Sequence, residues 1–175
     1  MLTAKKLKAM LQELISLKDV GCTYDFKERF SVGLETLEVL DFVKVIRSRI
    51  PKCDDHCVRY NDCDWIPFFE ERKSVAKFKL TKAGLALADM LESNLDENSL
   101  LQLLQKEISS TQITDLILSQ FLEDQELSIV QLISIIKEQS NLQLNIIRST
   151  IRDVLDLLES LKLLKIEQGT LFSVV

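Results

Sequence analysis

A single change of period constrains this chain more than any other feature of its sequence. Ile147, Ile151, Val154, Leu155 and Leu158 recur at the spacing of one helical face. Shortly afterwards Leu164 and Ile166 precede the turn pair Gln168-Gly169, and Leu171 and Phe172 follow it. Glycine at a turn between two short apolar runs predicts a hairpin. A long helix therefore feeds directly into a small sheet.

The same order occurs earlier. Leu2, Leu7, Met10, Leu11, Leu14 and Leu17 predict an opening helix, which Gly21 is expected to end. A second helix is expected to carry Phe26, Phe30, Leu34, Leu37 and Leu40 as one continuous apolar stripe. The branched run "FVKVIRSRIP" and the alternation of Ala76, Phe78 and Leu80 with Lys77 and Lys79 then predict two strands of a hairpin. Pro51 stops the first strand, having no N–H for the ladder, and Pro67 stiffens the far side of the connection. Thr81 is a competent N-cap for a third helix, "KAGLALADMLES". The polar stretch "SNLDENS" at 93–99 reads as a linker. Beyond it, "LLQLLQKEI", "ITDLILSQFLED", "LSIVQLISIIKEQS" and "NIIRSTIRDVLDLLESLKLL" read as four amphipathic helices.

With 175 residues, 46% of them hydrophobic, the chain can build one medium core or two small ones. Its halves differ in chemistry. Residues 1–92 hold 16 Lys and Arg against 15 Asp and Glu, whereas residues 93–175 hold 6 against 12. All four cysteines and nine of the eleven aromatic residues lie in the first half. This contrast predicts two domains, 1–95 and 96–175, the second acidic. No apolar run approaches the roughly 20 residues that span a bilayer, and "MLTAKKLKAMLQELISL" lacks the unbroken apolar stretch of a signal peptide. The expectation is no membrane partner and a cytoplasmic location, with the nucleus as the alternative.

The order of helices and hairpins resembles the winged helix-turn-helix superfamily, present as two tandem copies. "LETLEVLDFVKVIRSRIP…KFKLTKAGLALADML" is similar to its recognition helix, strand, wing, strand and closing helix. "LSIVQLISIIKEQSNLQLNIIRSTIRDVLDLLESLKLLKIEQGTLFSVV" is similar to its helix, turn, recognition helix and wing. The first copy departs from the pattern, because only "KDVGCTY" separates its opening helix from its recognition helix. The resemblance implies a mainly α fold with small β-hairpins (α+β), as tandem winged-helix domains.

It also implies a test for DNA binding, since the superfamily's recognition helix typically enters the major groove. In the first half that helix offers Lys27 and Ser31 but also Glu28, Glu35 and Glu38, which phosphate would repel. Better donors are Arg47, Arg49, Arg72, Lys73, Lys77 and Lys79, on or near the wing strands, where they suit backbone or minor-groove contact. In the second half Asn145, Arg148, Ser149 and Arg152 share one helical face. Arg pairs with guanine and Asn with adenine, so these side chains suit base readout. Opposing them is the acidity of Glu123, Asp124, Glu126, Asp153, Asp156 and Glu159.

The stretch "IPKCDDHCVRYNDCDWIP" gathers Cys53, Cys57 and Cys63, the only histidine and the only tryptophan. In a reducing compartment such thiols read as ligands or free thiols rather than disulfides. Cys22 adds a fourth thiolate, which would complete an iron–sulfur site or a zinc site, with His56 as an alternative zinc ligand. Trp65, Ile66, Phe68 and Phe69 could shield a cluster, whereas Asp54, Asp55, Asp62 and Asp64 favour a dication over an anionic cluster. A metal-free loop is the third reading. No phosphate loop, nucleophile beside a histidine, or paired-carboxylate motif is visible, so an enzyme is not expected. Two functions follow. One is a DNA-binding transcriptional regulator with a metal or iron–sulfur sensing site in its first wing, as a monomer or homodimer. The other is a non-enzymatic protein-interaction subunit that uses tandem winged helices as docking surfaces.

Overall fold

A computed structural model describes residues 1–16, 20–22, 30–46, 75–92, 95–121 and 126–173. Among these residues the chain is mainly helical, with two small antiparallel sheets. In the first half, helix α1 (Ala4–Ser16) leads to strand β1 (Val20–Cys22), helix α2 (Leu34–Val39), strands β2 (Val43–Ile46) and β3 (Val75–Leu80), and helix α3 (Lys82–Glu92). The second half holds helices α4 (Glu97–Ser109) and α5 (Gln112–Ser119), strand β4 (Leu127–Ser128), helices α6 (Ile129–Gln139) and α7 (Leu144–Ser160), and strands β5 (Leu164–Glu167) and β6 (Thr170–Ser173).

The sheets share one topology. Their orders are β1-β3-β2 and β4-β6-β5, so the last strand of each lies in the middle. A short strand, β1 ahead of α2 and β4 ahead of α6 and α7, thus pairs with the last strand of its sheet in both halves.

Two of the expected elements need correction. Gly21 does not end the opening helix. That helix covers Ala4–Ser16, and Gly21 sits in β1 opposite Ala76. The stripe from Phe26 to Leu40 is not one helix either, because Ser31 takes φ 54° and Gly33 is extended at the N-cap of α2. The apolar spacing carries across this break without a continuous helix beneath it. Leu34, Leu37 and Leu40 are nonetheless core. The remaining helices form close to where the periodicity places them, with three differences: Glu97–Ser99 of the expected linker open α4 behind the Asp96 cap, Leu127–Ser128 form β4 instead of the start of α6, and α7 stops at Ser160, leaving Leu164 to β5. Thr81 caps α3 by accepting the Gly84 N–H at 3.0 Å, and Gln168 (φ 50°) and Gly169 (φ 82°) make the β5–β6 turn, both in the left-handed conformation that a tight hairpin requires.

Each long-to-sheet transition uses the same device. In "LEVLDFVKVI" at 37–46, Phe42 N–H donates to the Leu37 carbonyl at 2.9 Å and Asp41 N–H to Glu38 at 3.0 Å. In "LESLKLLKIE" at 158–167, Leu163 N–H donates to Leu158 at 2.9 Å and Lys162 N–H to Glu159 at 2.9 Å. Both pairs form the two-bond helix stop that satisfies the last carbonyls, with Asp41 (φ 58°) and Lys162 (φ 57°) where glycine is commoner. The glutamate then reaches past the stop. Glu38 Oε1 accepts the Val45 N–H at 3.2 Å, and Glu159 Oε1 accepts the Ile166 N–H at 3.0 Å, tying helix end to strand in each half. The matching Leu-Glu-x-Leu-x-x-x-Lys is an internal repeat.

The buried side chains of both halves form one contiguous cluster, from Leu2 and Met10 to Leu164 and Leu171. The seam between them is made chiefly by α2 against α7. Val39 reaches the second half there, lining a small gap with Ile136, Ile147, Ile151 and Val154.

Candidate functional site

Helix α6 starts at a reciprocal cap, in which Ser128 Oγ accepts the Gln131 N–H at 3.3 Å and Gln131 Oε1 accepts the Ser128 N–H at 2.9 Å. It ends at Ser140, whose extended backbone breaks the helix, and Ser140 Oγ accepts the Leu142 N–H at 3.3 Å. Residues 141–143 make the turn into α7. The 17-residue α7 then buries Ile147, Ile151, Val154, Leu155 and Leu158.

Asn145, Arg148, Ser149 and Arg152 are all exposed on the opposite side, within the first nine residues of α7. Seven residues separate the first from the last, a rise of about 10 Å, or about three base steps of a DNA strand. Arg148 forms no ion pair with any described residue. Arg152 Nε lies 3.3 Å from Asp156 Oδ1, one turn on, while its side chain stays 65% exposed. That contact leaves the two terminal guanidinium nitrogens for another partner.

Much of the acidity near α7 is engaged at the seam. Asp153 Oδ2 accepts a hydrogen bond from the buried Thr36 hydroxyl at 3.1 Å. Asp156 Oδ2 lies 3.7 Å from the Met1 amino group, and Glu159 holds β5. Glu126 is exposed, and Glu123 and Asp124 lie outside the described residues.

Burial holds the Asp153 carboxyl above the ordinary Asp value of 3.8, and the Thr36 hydrogen bond offsets this only in part. A carboxyl raised in the folded state stabilises the fold when protonated, and the stabilisation is lost as pH rises through the raised value. Asp153→Asn keeps an oxygen acceptor for Thr36 without the buried charge. It should raise the thermal midpoint at pH 7 by about 1–3 °C. The difference from the parent chain should vanish below the ordinary Asp value, as thermal melts across acidic pH would reveal.

The first half presents a different surface. Thr36 on α2 is buried at the seam, and Glu35 and Glu38 are partly exposed. Of the basic residues expected near the wing, Arg47, Arg49, Arg72 and Lys73 lie outside the described residues, as does Lys27. Lys77 occupies the central strand opposite Val20 and Ile46. Lys79 is exposed and directly opposite Lys44, also exposed. Lys44 is a basic position that the sequence reading missed, since only the strand register sets it beside Lys79.

Cys53, His56, Cys57 and Cys63 lie outside the described residues. Cys22 is placed by its backbone opposite Val75, the first residue of β3. No described helix is long and apolar enough to cross a membrane. Comparison with known proteins gives no matching family model and no significantly similar curated protein or solved structure.

Proposed function

We propose that the chain is a non-enzymatic, sequence-specific DNA-binding regulator of the tandem winged-helix type, and that α7 carries the readout. The observation behind this reading is the exposed set Asn145, Arg148, Ser149 and Arg152 at the start of a helix that follows a tight turn and precedes a hairpin. Helix-turn-helix proteins read base edges with the N-terminal part of such a helix. The shared strand order of the two sheets supports the tandem reading. Arg152, held at Nε by Asp156, is suited to present its terminal nitrogens to guanine O6 and N7. Lys44 and Lys79 offer phosphate contacts from the first sheet.

Selection of the purified chain on a random duplex pool at low salt tests this reading. An enriched motif is the expected result. No duplex binding at low salt, together with co-purification of one protein partner, would establish the docking-subunit alternative instead.

Metal sensing through the first wing is part of the same proposal, resting on thiol chemistry and on the position of Cys22 beside the start of β3. Anaerobically purified protein should carry iron with sulfide or stoichiometric zinc. Absence of both in elemental analysis would sink this part.

A further inference from the structure

A cleft of about 580 Å³ opens where the end of α2 and the start of α3 face the α4–α5 corner and the α6–α7 turn. Its volume falls within the range of sites that enclose small ligands or side chains. Val39, Leu116 and Leu142 are half-buried in its lining and Ile113 is buried, which gives it an apolar floor. Glu38, Asp41 and Glu107 supply its charge, and among the described lining residues none is Lys, Arg or His. Asp41 is exposed and Glu107 half-buried, whereas Glu38 is already occupied by the Val45 N–H.

The walls are fixed by backbone bonds. Phe42 N–H donates to Leu37 at 2.9 Å, Thr81 N–H donates to Phe42 at 3.0 Å, and the Thr81 hydroxyl donates to the Asp41 carbonyl. The wall that carries Asp41 is therefore set before anything enters the cleft, which lowers the ordering cost of binding there. Carboxylates around a concave, low-dielectric wall concentrate negative potential, so an anionic ligand such as a nucleic-acid backbone is repelled. A small cation alone would leave the apolar floor unused. The complementary occupant has positive charges on either side of a bulky apolar side chain.

We propose that this cleft binds a short cationic segment of a partner protein, with one Leu or Phe seated on Val39, Ile113, Leu116 and Leu142 and a flanking Lys or Arg meeting Asp41 and Glu107. The proposal goes beyond the DNA reading and stands on different residues.

The probes are four fluorescein-labelled nonapeptides with Leu or Phe at the centre, Lys or Arg two residues to either side, and Gly and Ser elsewhere. At least one should bind the full chain in a fluorescence-anisotropy titration. Glu107→Lys with Asp41→Asn should weaken that peptide by about tenfold or more, as should Leu116→Gln. Arg148→Ala should leave peptide binding unchanged, which separates this result from the fate of the DNA reading. Amide shifts in an NMR titration should centre on Val39, Ile113, Leu116 and Leu142. Circular dichroism on each variant distinguishes lost binding from lost folding, and a variant that fails to fold is replaced by its peptide counterpart, Ser for the central residue or Glu for the flanks. Equal binding by the acidic-flanked peptides, shifts centred elsewhere, or no binding by any of the four would overturn the proposal. So would self-association that Glu107→Lys abolishes, because a second copy would then be the occupant.

Discussion

Replacing Arg148 and Arg152 together by Ala should weaken binding to the selected duplex by about 100-fold to 1,000-fold. Each arginine that pairs with a base edge is worth about 1–3 kcal/mol of discrimination, and the pair lies on one exposed face of α7. Loss on unrelated duplexes should be smaller, because a phosphate contact contributes without regard to sequence. Competition binding at fixed salt, with specific and random competitors, measures both. Unchanged affinity for the selected site would remove α7 as the reader. Arg148 is exposed and its loss should leave the melting transition in place. Loss of Arg152 removes a partner of the buried Asp156 and should lower it modestly, so circular dichroism at the assay temperature confirms that the variant is folded.

Gly84→Ala should destabilise the chain by about 2–3 kcal/mol, by the cost of forcing added volume into a packed site. In an exposed helix the same change would stabilise by about 1 kcal/mol, because alanine is the better helix former. The sign is therefore diagnostic. At Gly84 a Cβ would overlap the Phe42 carbonyl oxygen and lie 2.9 Å from its carbonyl carbon and 3.2 Å from its Cα. Those atoms are backbone and cannot rotate away, and the Phe42 carbonyl also accepts the Thr81 N–H. Urea denaturation should show a lower midpoint. A midpoint equal to or above the parent's would mean that α3 can move off β2 without loss.

How far the sequence announces this structure depends on the distance over which each feature is decided. Helix α7 and the β5–β6 hairpin are legible because both faces of the helix and both residues of the turn lie within one short stretch. The short strands β1 and β4 are not, since three and two residues are too few to establish a period. Their identity depends on pairing with strands far downstream. The false continuity from Phe26 to Leu40 has the opposite cause, in that a helical period survives a break that only the Ser31 backbone reveals.

The candidate site divides in the same way. The exposed side of α7 follows from helical spacing alone. What Asp153 and Asp156 do there does not, because their partners, Thr36 and Met1, come from the other half of the chain. Composition made those carboxylates look like a field opposing DNA, and docking of the two halves turns part of that field inward. Lys44 and Lys79 became neighbours through strand register, with a long intervening segment that no local pattern bridges.

The seam has a consequence for how the molecule assembles. Thr36 and Asp153 are 117 residues apart in sequence, whereas the Glu38–Val45 and Glu159–Ile166 ties each span seven. Closing the short loops costs little entropy and closing the long one costs more, so each helix-to-hairpin corner is favoured to form before α2 meets α7. Substitutions at Thr36 or Asp153 should consequently act on the unfolding rate, with little change in the refolding rate. Corners that form first would nucleate the molecule, and a seam that forms last would set its kinetic lifetime.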